Sequence, residues 1–331
     1  MRAFVLVGPT AVGKSDVAQW IAERTGSAIL SADSMLVYRG MDIGTAKPTP
    51  AERGEVPYFG IDCVDPGQPF STGAWLSFIR RQLAANEEME NEKWKMENSS
   101  GSHSPFSILH SPFLIVAGGT GLYITALLCG LDAPPSDPAS RARWTALFES
   151  GGLSALRAAV DANPVARSLL SDGDLANPRR LIRALERADA GDVPSGAGRS
   201  PSGQMVSPAV AGLTMPREML AARIERRIDK MFADGLVDEA VAVREASGGL
   251  SSTACGAIGY AEALAVADGR MSQAEAAERI AARTRQLAKR QMTWFRHQLD
   301  VEWVEVGETD TPATIGPKVM EVWKRNGCFE I

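Results

Sequence analysis

Gly8-Pro9-Thr10-Ala11-Val12-Gly13-Lys14-Ser15 fits the pattern G-x-x-x-x-G-K-[ST], whose spacing serves to hold a chain of phosphates. Gly8 and Gly13 let the backbone bend so that the N–H groups of Thr10, Ala11, Val12 and Gly13 turn inward around phosphate oxygens. Lys14 neutralises a further oxygen, and the N-terminus of a following helix adds partial positive charge. The Ser15 hydroxyl can ligand Mg²⁺. The loop alone does not say whether the diphosphate belongs to a nucleotide.

Three further positions carry candidate chemistry. Asp33 ends a short apolar run, where a carboxylate can act as a general base, hold Mg²⁺ through water, or simply form a turn. Thr120, in the Gly118-Gly119-Thr120-Gly121 loop, can hydrogen-bond a substrate or serve as ordinary turn chemistry. Arg217 follows Pro216 at the start of a helix whose apolar stripe is Leu220, Ile224, Ile228 and Met231. A cation there is disfavoured by the helix dipole unless an anion lies nearby, and a bound diphosphate would be one; a solvated arginine at a frayed helix start is the other reading.

From Arg279 to Leu299 there are six basic residues and no acidic one. Ile280, Leu287, Trp294 and Phe295 fall on one arc of a helix, and Arg279, Arg283, Arg285, Lys289, Arg290 and Arg296 on most of the other. A charge run is often only a solvated face, but this one lies in a chain of net charge −5 and suits a phosphate backbone. A second basic stretch, from Arg141 to Arg187, holds eight arginines.

The elements that must position these residues are readable. Ala3–Val7, Ser27–Ala32 and Phe113–Ala117 read as buried strands, each running into residues with chemistry, and 16–25 reads as a helix. That alternation predicts an α/β fold with a P-loop NTPase-like parallel sheet, its site outside the carboxyl ends of the strands. Helix-compatible spacing follows at 140–148, 180–188, 217–232 and 273–297. Residues 137–211 therefore read as a smaller, mostly helical domain inserted into a catalytic core of 1–136 and 212–331, with 191–207 a Gly/Ser/Pro-rich linker. Asn86 to Pro112 is polar and repetitive, then Ser/Pro-rich, and reads as a surface insertion with a poorly ordered centre. Its His103 and His110 are given no catalytic role.

No run approaches the ~18 apolar residues of a membrane helix, and Met1 to Val7 leads straight into the glycine loop without a secretory signal. Cys63, Cys129, Cys255 and Cys328 are far apart and form no C-x-x-C pair, so each reads as a small buried hydrophobe in a cytoplasmic protein.

Beyond the P-loop, Ser31-Ala32-Asp33-Ser34 and the stretch Val37 to Pro48 (VYRGMDIGTAKP) resemble the signature of the bacterial tRNA dimethylallyltransferase family, also called tRNA isopentenyltransferases. So do Gly118 to Tyr123 (GGTGLY), Asn177 to Leu181 (NPRRL), Ile258-Gly259-Tyr260, and Thr284 to Gln291 (TRQLAKRQ). The blocks occur in the family's order and reach to about Arg296.

The resemblance implies that the P-loop holds dimethylallyl diphosphate rather than ATP. Asp33 would take the proton from the exocyclic N6 of the adenosine immediately 3′ of the anticodon, and Thr120 would help orient it. Lys14, Arg217 and Mg²⁺ near Ser15 would meet the charge of departing pyrophosphate. The tRNA contacts it implies are Asp33, Ser34, Met35, Leu36 and Thr120, then Arg179, Arg180 and Arg183, then Gly256, Ile258, Gly259 and Tyr260, and finally Thr284, Arg285, Gln286, Lys289, Arg290 and Gln291. Arg141 and Arg143 join them from the arginine-rich stretch. The expected partners are the tRNA anticodon stem-loop and the prenyl diphosphate, with no membrane and no obligate protein partner for a monomer.

The chain departs from the family's pattern at Leu36, where many relatives have glutamine, at Tyr58-Phe59, where His-His is common, and in the 86–112 stretch. A small-molecule P-loop kinase is the competing reading, and it leaves the basic helix unexplained. An RNA-binding GTPase-like module would need an N-K-x-D motif, which the sequence lacks.

Overall fold

The computed structural model describes residues 2–100, 113–130, 136–192, 210–327 and 329–330. The chain packs as two units, one of residues 1–128 with 206–331 and the other of residues 129–205.

The first unit opens with β1 (Arg2–Val7), α1 (Lys14–Thr25), β2 (Ala28–Ser31), α2 (Pro50–Arg53), β3 (Tyr58–Phe59), α3 (Thr72–Ser100), β4 (Leu114–Gly118) and α4 (Gly121–Cys129). The second contains α5 (Pro138–Asp161), α6 (Pro164–Ser168) and α7 (Pro178–Asp189). The first unit then resumes with β5 (Val210–Thr214), α8 (Arg217–Ala233), α9 (Leu236–Ala246), α10 (Tyr260–Ala267), α11 (Gln273–Gln298), β6 (Val301–Glu305), α12 (Pro312–Asn326) and β7 (Phe329–Glu330).

Six strands lie parallel in the order β3-β2-β4-β1-β5-β6, and β7 pairs antiparallel with β1. Because side chains alternate across a strand, one face takes Ala3, Val5, Val7, Ala28, Leu30, Leu114 and Val116, which pack with Trp75, Ile224, Ile228, Ile280 and Phe295 from the helices. The other face takes Leu6, Ile29, Ile115, Ala211 and Leu213, which pack with Val17 and Ile21 of α1 and Ile315, Val319 and Trp323 of α12. Burial on both faces explains why these strands read as continuous apolar runs. The register sets Val7 beside Gly118 and Gly212, and Ser31 beside Ala117, so the carboxyl ends of four strands finish level. Everything that follows a strand therefore opens onto one edge.

The second unit has its own core, in which Leu156 and Val160 of α5 meet Ala166 of α6 and Leu181, Ile182 and Leu185 of α7.

The 86–112 stretch, read as a surface insertion, begins in helix, because α3 continues unbroken to Ser100; its glutamates, lysines and methionines are good helix formers. Residues 101–112, with His103 and His110, lie outside the described residues, as does most of the 191–207 linker. Of the cysteines, Cys63 is buried as expected, whereas Cys129 and Cys255 are exposed; Cys328 lies outside the described residues.

Candidate functional site

The P-loop joins β1 to α1 in the geometry its glycines permit. Gly8 and Gly13 have φ of 150° and 97°, and Ala11 tolerates 66°. A side chain at Gly8 would lie 2.7 Å from the Leu213 carbonyl oxygen, so β5 packs directly against the turn. No side chain caps α1, whose N-cap is Gly13, so its first N–H groups are left for an anion. Lys14 turns inward and donates to the Pro9 carbonyl at 2.7 Å. Burial lowers its pKa to about 8, with Asp33 opposing that shift and Arg227 adding to it.

Two cavities open above the strand ends. A small one, about 90 Å³, is lined by Lys14, Ser15, Ser31, Asp33, Leu36 and Tyr58 among others. A larger one, about 400 Å³, takes Ser34, Met35, Gly119, Thr120, Gly256 and Ile258, together with Arg283, Thr284, Gln286 and Arg290. Thr10, Asp33, Thr45, Arg227 and Gln291 line both. The sequence's two clusters, phosphate cradle and acceptor contacts, thus meet across one wall, and Asp33 stands in it.

Asp33 follows β2, and its Oδ1 accepts the Met35 N–H at 2.9 Å. That bond forms the turn, so the carboxylate serves the local fold as well as the cavity. Thr120 Oγ1 accepts the Ser34 N–H at 2.9 Å and donates to Ser34 Oγ at 3.2 Å. The hydroxyl is therefore engaged in fixing the segment after Asp33. Gly118 is required because an added Cβ would meet Ala32 backbone at 2.2 Å, and Gly121 because one would meet Trp294 at 2.1 Å. These glycines serve close packing between β4, β2 and α11.

The cation on α8 is not the one the sequence singles out. Arg217 stands exposed in the first turn and lines neither cavity. Two turns on, Arg223 Nη1 donates to the Val12 carbonyl at 3.3 Å, while Arg227 donates to Thr10 Oγ1 at 3.3 Å and to the Thr45 carbonyl at 3.0 Å. Arg223 and Arg227 are four residues apart on one face, a signal present in the sequence. Burial lowers the Arg227 pKa and Asp33 opposes the shift. The helix meets the P-loop in its second and third turns because Ile224 and Ile228 anchor those turns to the sheet.

Tyr260 is fully buried, and its hydroxyl donates to Glu239 Oε1 at 2.5 Å. Glu239 in turn accepts the N–H groups of Asp42, Ile43 and Gly44. Tyr260 therefore holds the loop before Thr45, and the buried Gly259 (φ 112°) starts its helix.

The basic helix has compensating acids, supplied by other elements: Arg283 pairs with Glu262 of α10 and Arg285 with Glu225 of α8. Arg279, Lys289, Arg290 and Arg296 stay exposed. Of the expected apolar arc, Ile280 and Phe295 are buried, but Leu287 and Trp294 are half-buried because Leu287 lines the larger cavity. Gln291 binds both ways: Oε1 accepts the Thr10 N–H at 2.8 Å and Nε2 donates to the Gly119 carbonyl at 3.0 Å.

In the second unit, Arg141 grips Glu186 with two bonds of 2.9 and 3.1 Å. Arg143 pairs with Asp189, Arg180 with Asp174, and Arg183 with Glu186. The arginine-rich stretch is thus largely matched by acids the sequence reading left out, and Arg179 is exposed.

With this geometry in place, comparison with known proteins is specific. The family described as IPP transferase matches residues 36–94 and 108–298, and that described as isopentenyl transferase matches residues 1–56. The tRNA dimethylallyltransferase of Geobacter metallireducens is 39% identical over 92% of this chain and 92% of its own. That of Corynebacterium urealyticum is 33% identical over 97% of this chain and 92% of its own. Among solved structures, a tRNA isopentenylpyrophosphate transferase from Bacillus halodurans superposes with a TM-score of 0.59 at 30% identity, covering 98% of this chain and 97% of that one. A eukaryotic dimethylallyltransferase shares the fold with a TM-score of 0.62 at 18% identity. A chain that carries the P-loop, the Asp33 wall and these matches over nearly its whole length belongs to the IPP transferase family.

Proposed function

We propose that this enzyme transfers the dimethylallyl group of dimethylallyl diphosphate to N6 of the adenosine immediately 3′ of the anticodon in tRNA, releasing pyrophosphate. The observation that carries the reading is the shared wall: Asp33 and Thr10 face both the phosphate-cradle cavity and the larger cavity.

In this reading the N6 lone pair attacks C1 of the prenyl group as the C1–O bond to diphosphate breaks. Asp33 accepts the N6 proton. The charge growing on pyrophosphate is met by the P-loop N–H groups, Lys14 and Arg227, donors already fixed before reaction. Arg217, the cation the resemblance implies for that role, is exposed on the first turn of α8. Adenine must leave its stack to reach Asp33, and a cavity of about 400 Å³ has room for a base. Arg290, which lines it, and the exposed Lys289 would meet RNA phosphates.

Mg²⁺ fits the donor set. The Ser15 hydroxyl and Asp33 carboxylate face one cavity and would offer the ion hard oxygen, with the diphosphate supplying more. Bound there, Mg²⁺ would supply charge neutralisation to the leaving group. No helix among the described residues is long and apolar enough to cross a membrane. The kinase reading is not favoured, since it gives no use to the larger cavity.

The test is transfer of label from dimethylallyl diphosphate labelled at C1 to unmodified tRNA, followed by nucleoside analysis. Label in N6-prenylated adenosine is the expected result. Phosphoryl transfer from labelled ATP to a small acceptor, with no prenyl transfer, would sink the proposal.

A further inference from the structure

Ser31 closes β2 and is 4% exposed, yet among the described residues its hydroxyl has no hydrogen-bond partner. An unmade bond on a buried hydroxyl is costly, and such atoms persist where a ligand or water completes them. Ile29 and Ser31 lie on one face of the strand, the face Ile29 packs against α1. Ser31 therefore looks toward α1, whose first turn carries Ser15. Ser15, Lys14, Asp33 and Ser31 all line the same cavity of about 90 Å³.

The oxygens that face this cavity decide what meets Ser31. Ser15 and Asp33 offer a hydroxyl and a carboxylate, which suit a small divalent cation, and Mg²⁺ keeps several waters when it binds.

We propose that Ser31 is a further binding residue of this site. Its hydroxyl accepts a hydrogen bond from water carried by a divalent cation seated beside Ser15 and the diphosphate. This rests on the diphosphate reading above. Hydroxyls and carboxylates outside the metal's own ligands orient those ligands, and their removal is felt as metal affinity. Ser31 touches neither C1 nor N6, so its effect is on metal-dependent binding and not on proton transfer.

The experiment is calorimetry of inorganic pyrophosphate binding to the full chain, with and without Mg²⁺, for wild type and Ser31→Ala. Removing an unpartnered hydroxyl should leave the melting temperature without ligand unchanged or higher, which separates the effect from misfolding. The Mg²⁺ concentration for half-maximal binding should rise roughly three- to tenfold, the size of one hydrogen bond, while metal-free binding stays put. Equal weakening with and without Mg²⁺ would overturn the water contact in favour of a direct phosphate contact. An unchanged Mg²⁺ requirement would overturn any role for Ser31. If wild type binds no pyrophosphate under either condition, the diphosphate reading falls and this inference with it.

Discussion

Gln291 and Thr10 are 281 positions apart in the chain, yet the Thr10 N–H donates to the Gln291 side-chain oxygen at 2.8 Å. The other end of the same amide donates to Gly119 at 3.0 Å, and a Cβ at Gly119 would lie 2.3 Å from it. Helix α11 therefore clamps the P-loop to the β4 turn, which in turn holds Ser34 through Thr120. A carboxamide suits this place because its oxygen accepts while its NH₂ donates.

Gln291→Glu should keep the first bond and lose the second, while adding negative charge beside the phosphate cradle. The Michaelis constant for dimethylallyl diphosphate should rise about tenfold or more, with a smaller change for tRNA. Gln291→Leu should lose both bonds and lower stability by about 1–3 kcal/mol. Steady-state constants for both substrates and a denaturant titration decide it; equal effects on the two substrates would argue against a local clamp.

Asp33 stands in the wall common to both cavities. Asp33→Ala should slow single-turnover transfer roughly 10²–10⁴-fold while tRNA affinity changes little. Its bond to the Met35 N–H supplies a control, since Asp33→Asn retains an acceptor for that bond and should preserve the turn. A rate within a few-fold of wild type in Asp33→Asn would remove Asp33 from proton transfer.

The parallel sheet was legible because burial on both faces makes β1, β2 and β4 continuous apolar runs ending in Gly8, Asp33 and Gly118. Strand β5 was not, since Val210–Thr214 is interrupted by Gly212, where an added Cβ would meet Val301 and Trp303 of β6. Helix periodicity placed α8 correctly but could not tell which of its arginines faces the P-loop. That depends on how Ile224 and Ile228 seat the helix, a tertiary fact. The bond from Tyr260 to Glu239 was not legible, because its partner is 21 residues away and ordinary in sequence. Likewise the net sign of α11 could not reveal that Glu225 and Glu262 would fold against it.

Lys14, with its pKa lowered to about 8, gives the site a pH dependence. Below pH 8 the ammonium is charged before binding, and affinity for dimethylallyl diphosphate without tRNA should be flat. Above pH 8 the free enzyme is mostly neutral at Lys14, whereas the bound diphosphate favours the charged form. Binding must then take up a proton, and the dissociation constant should rise toward tenfold per pH unit between about 8.5 and 9.5. Calorimetry in two buffers of different ionisation enthalpy should show uptake approaching one proton at pH 9 and near none at pH 7. Lys14→Met should bind weakly at every pH and lose the uptake. Proton release in place of uptake would mean that the lysine is charged before binding and that another group titrates.

The last expectation separates cations that are spent from those that are free. Arg285 is held by Glu225 at 3.4 Å, so its charge is partly met before any RNA arrives. Lys289 and Arg290 are exposed, and Arg290 also lines the larger cavity. A phosphate contact releases counterions, and each one lost lowers the slope of log affinity against log salt by roughly 0.7–0.9. Lys289→Gln with Arg290→Gln should therefore flatten the salt dependence of tRNA binding by about 1.5 and raise the Michaelis constant for tRNA. Arg285→Gln should change the slope by less than half of one contact. It also frees Glu225, whose unpaired charge would repel RNA and weaken affinity without changing the number of phosphates held. The constant for dimethylallyl diphosphate should hardly move in either protein, because Lys14, Arg223 and Arg227 surround that site. The measurement is tRNA affinity at four salt concentrations for wild type and both variants. A slope change in Arg285→Gln as large as in the double variant would mean that its ion pair opens for RNA.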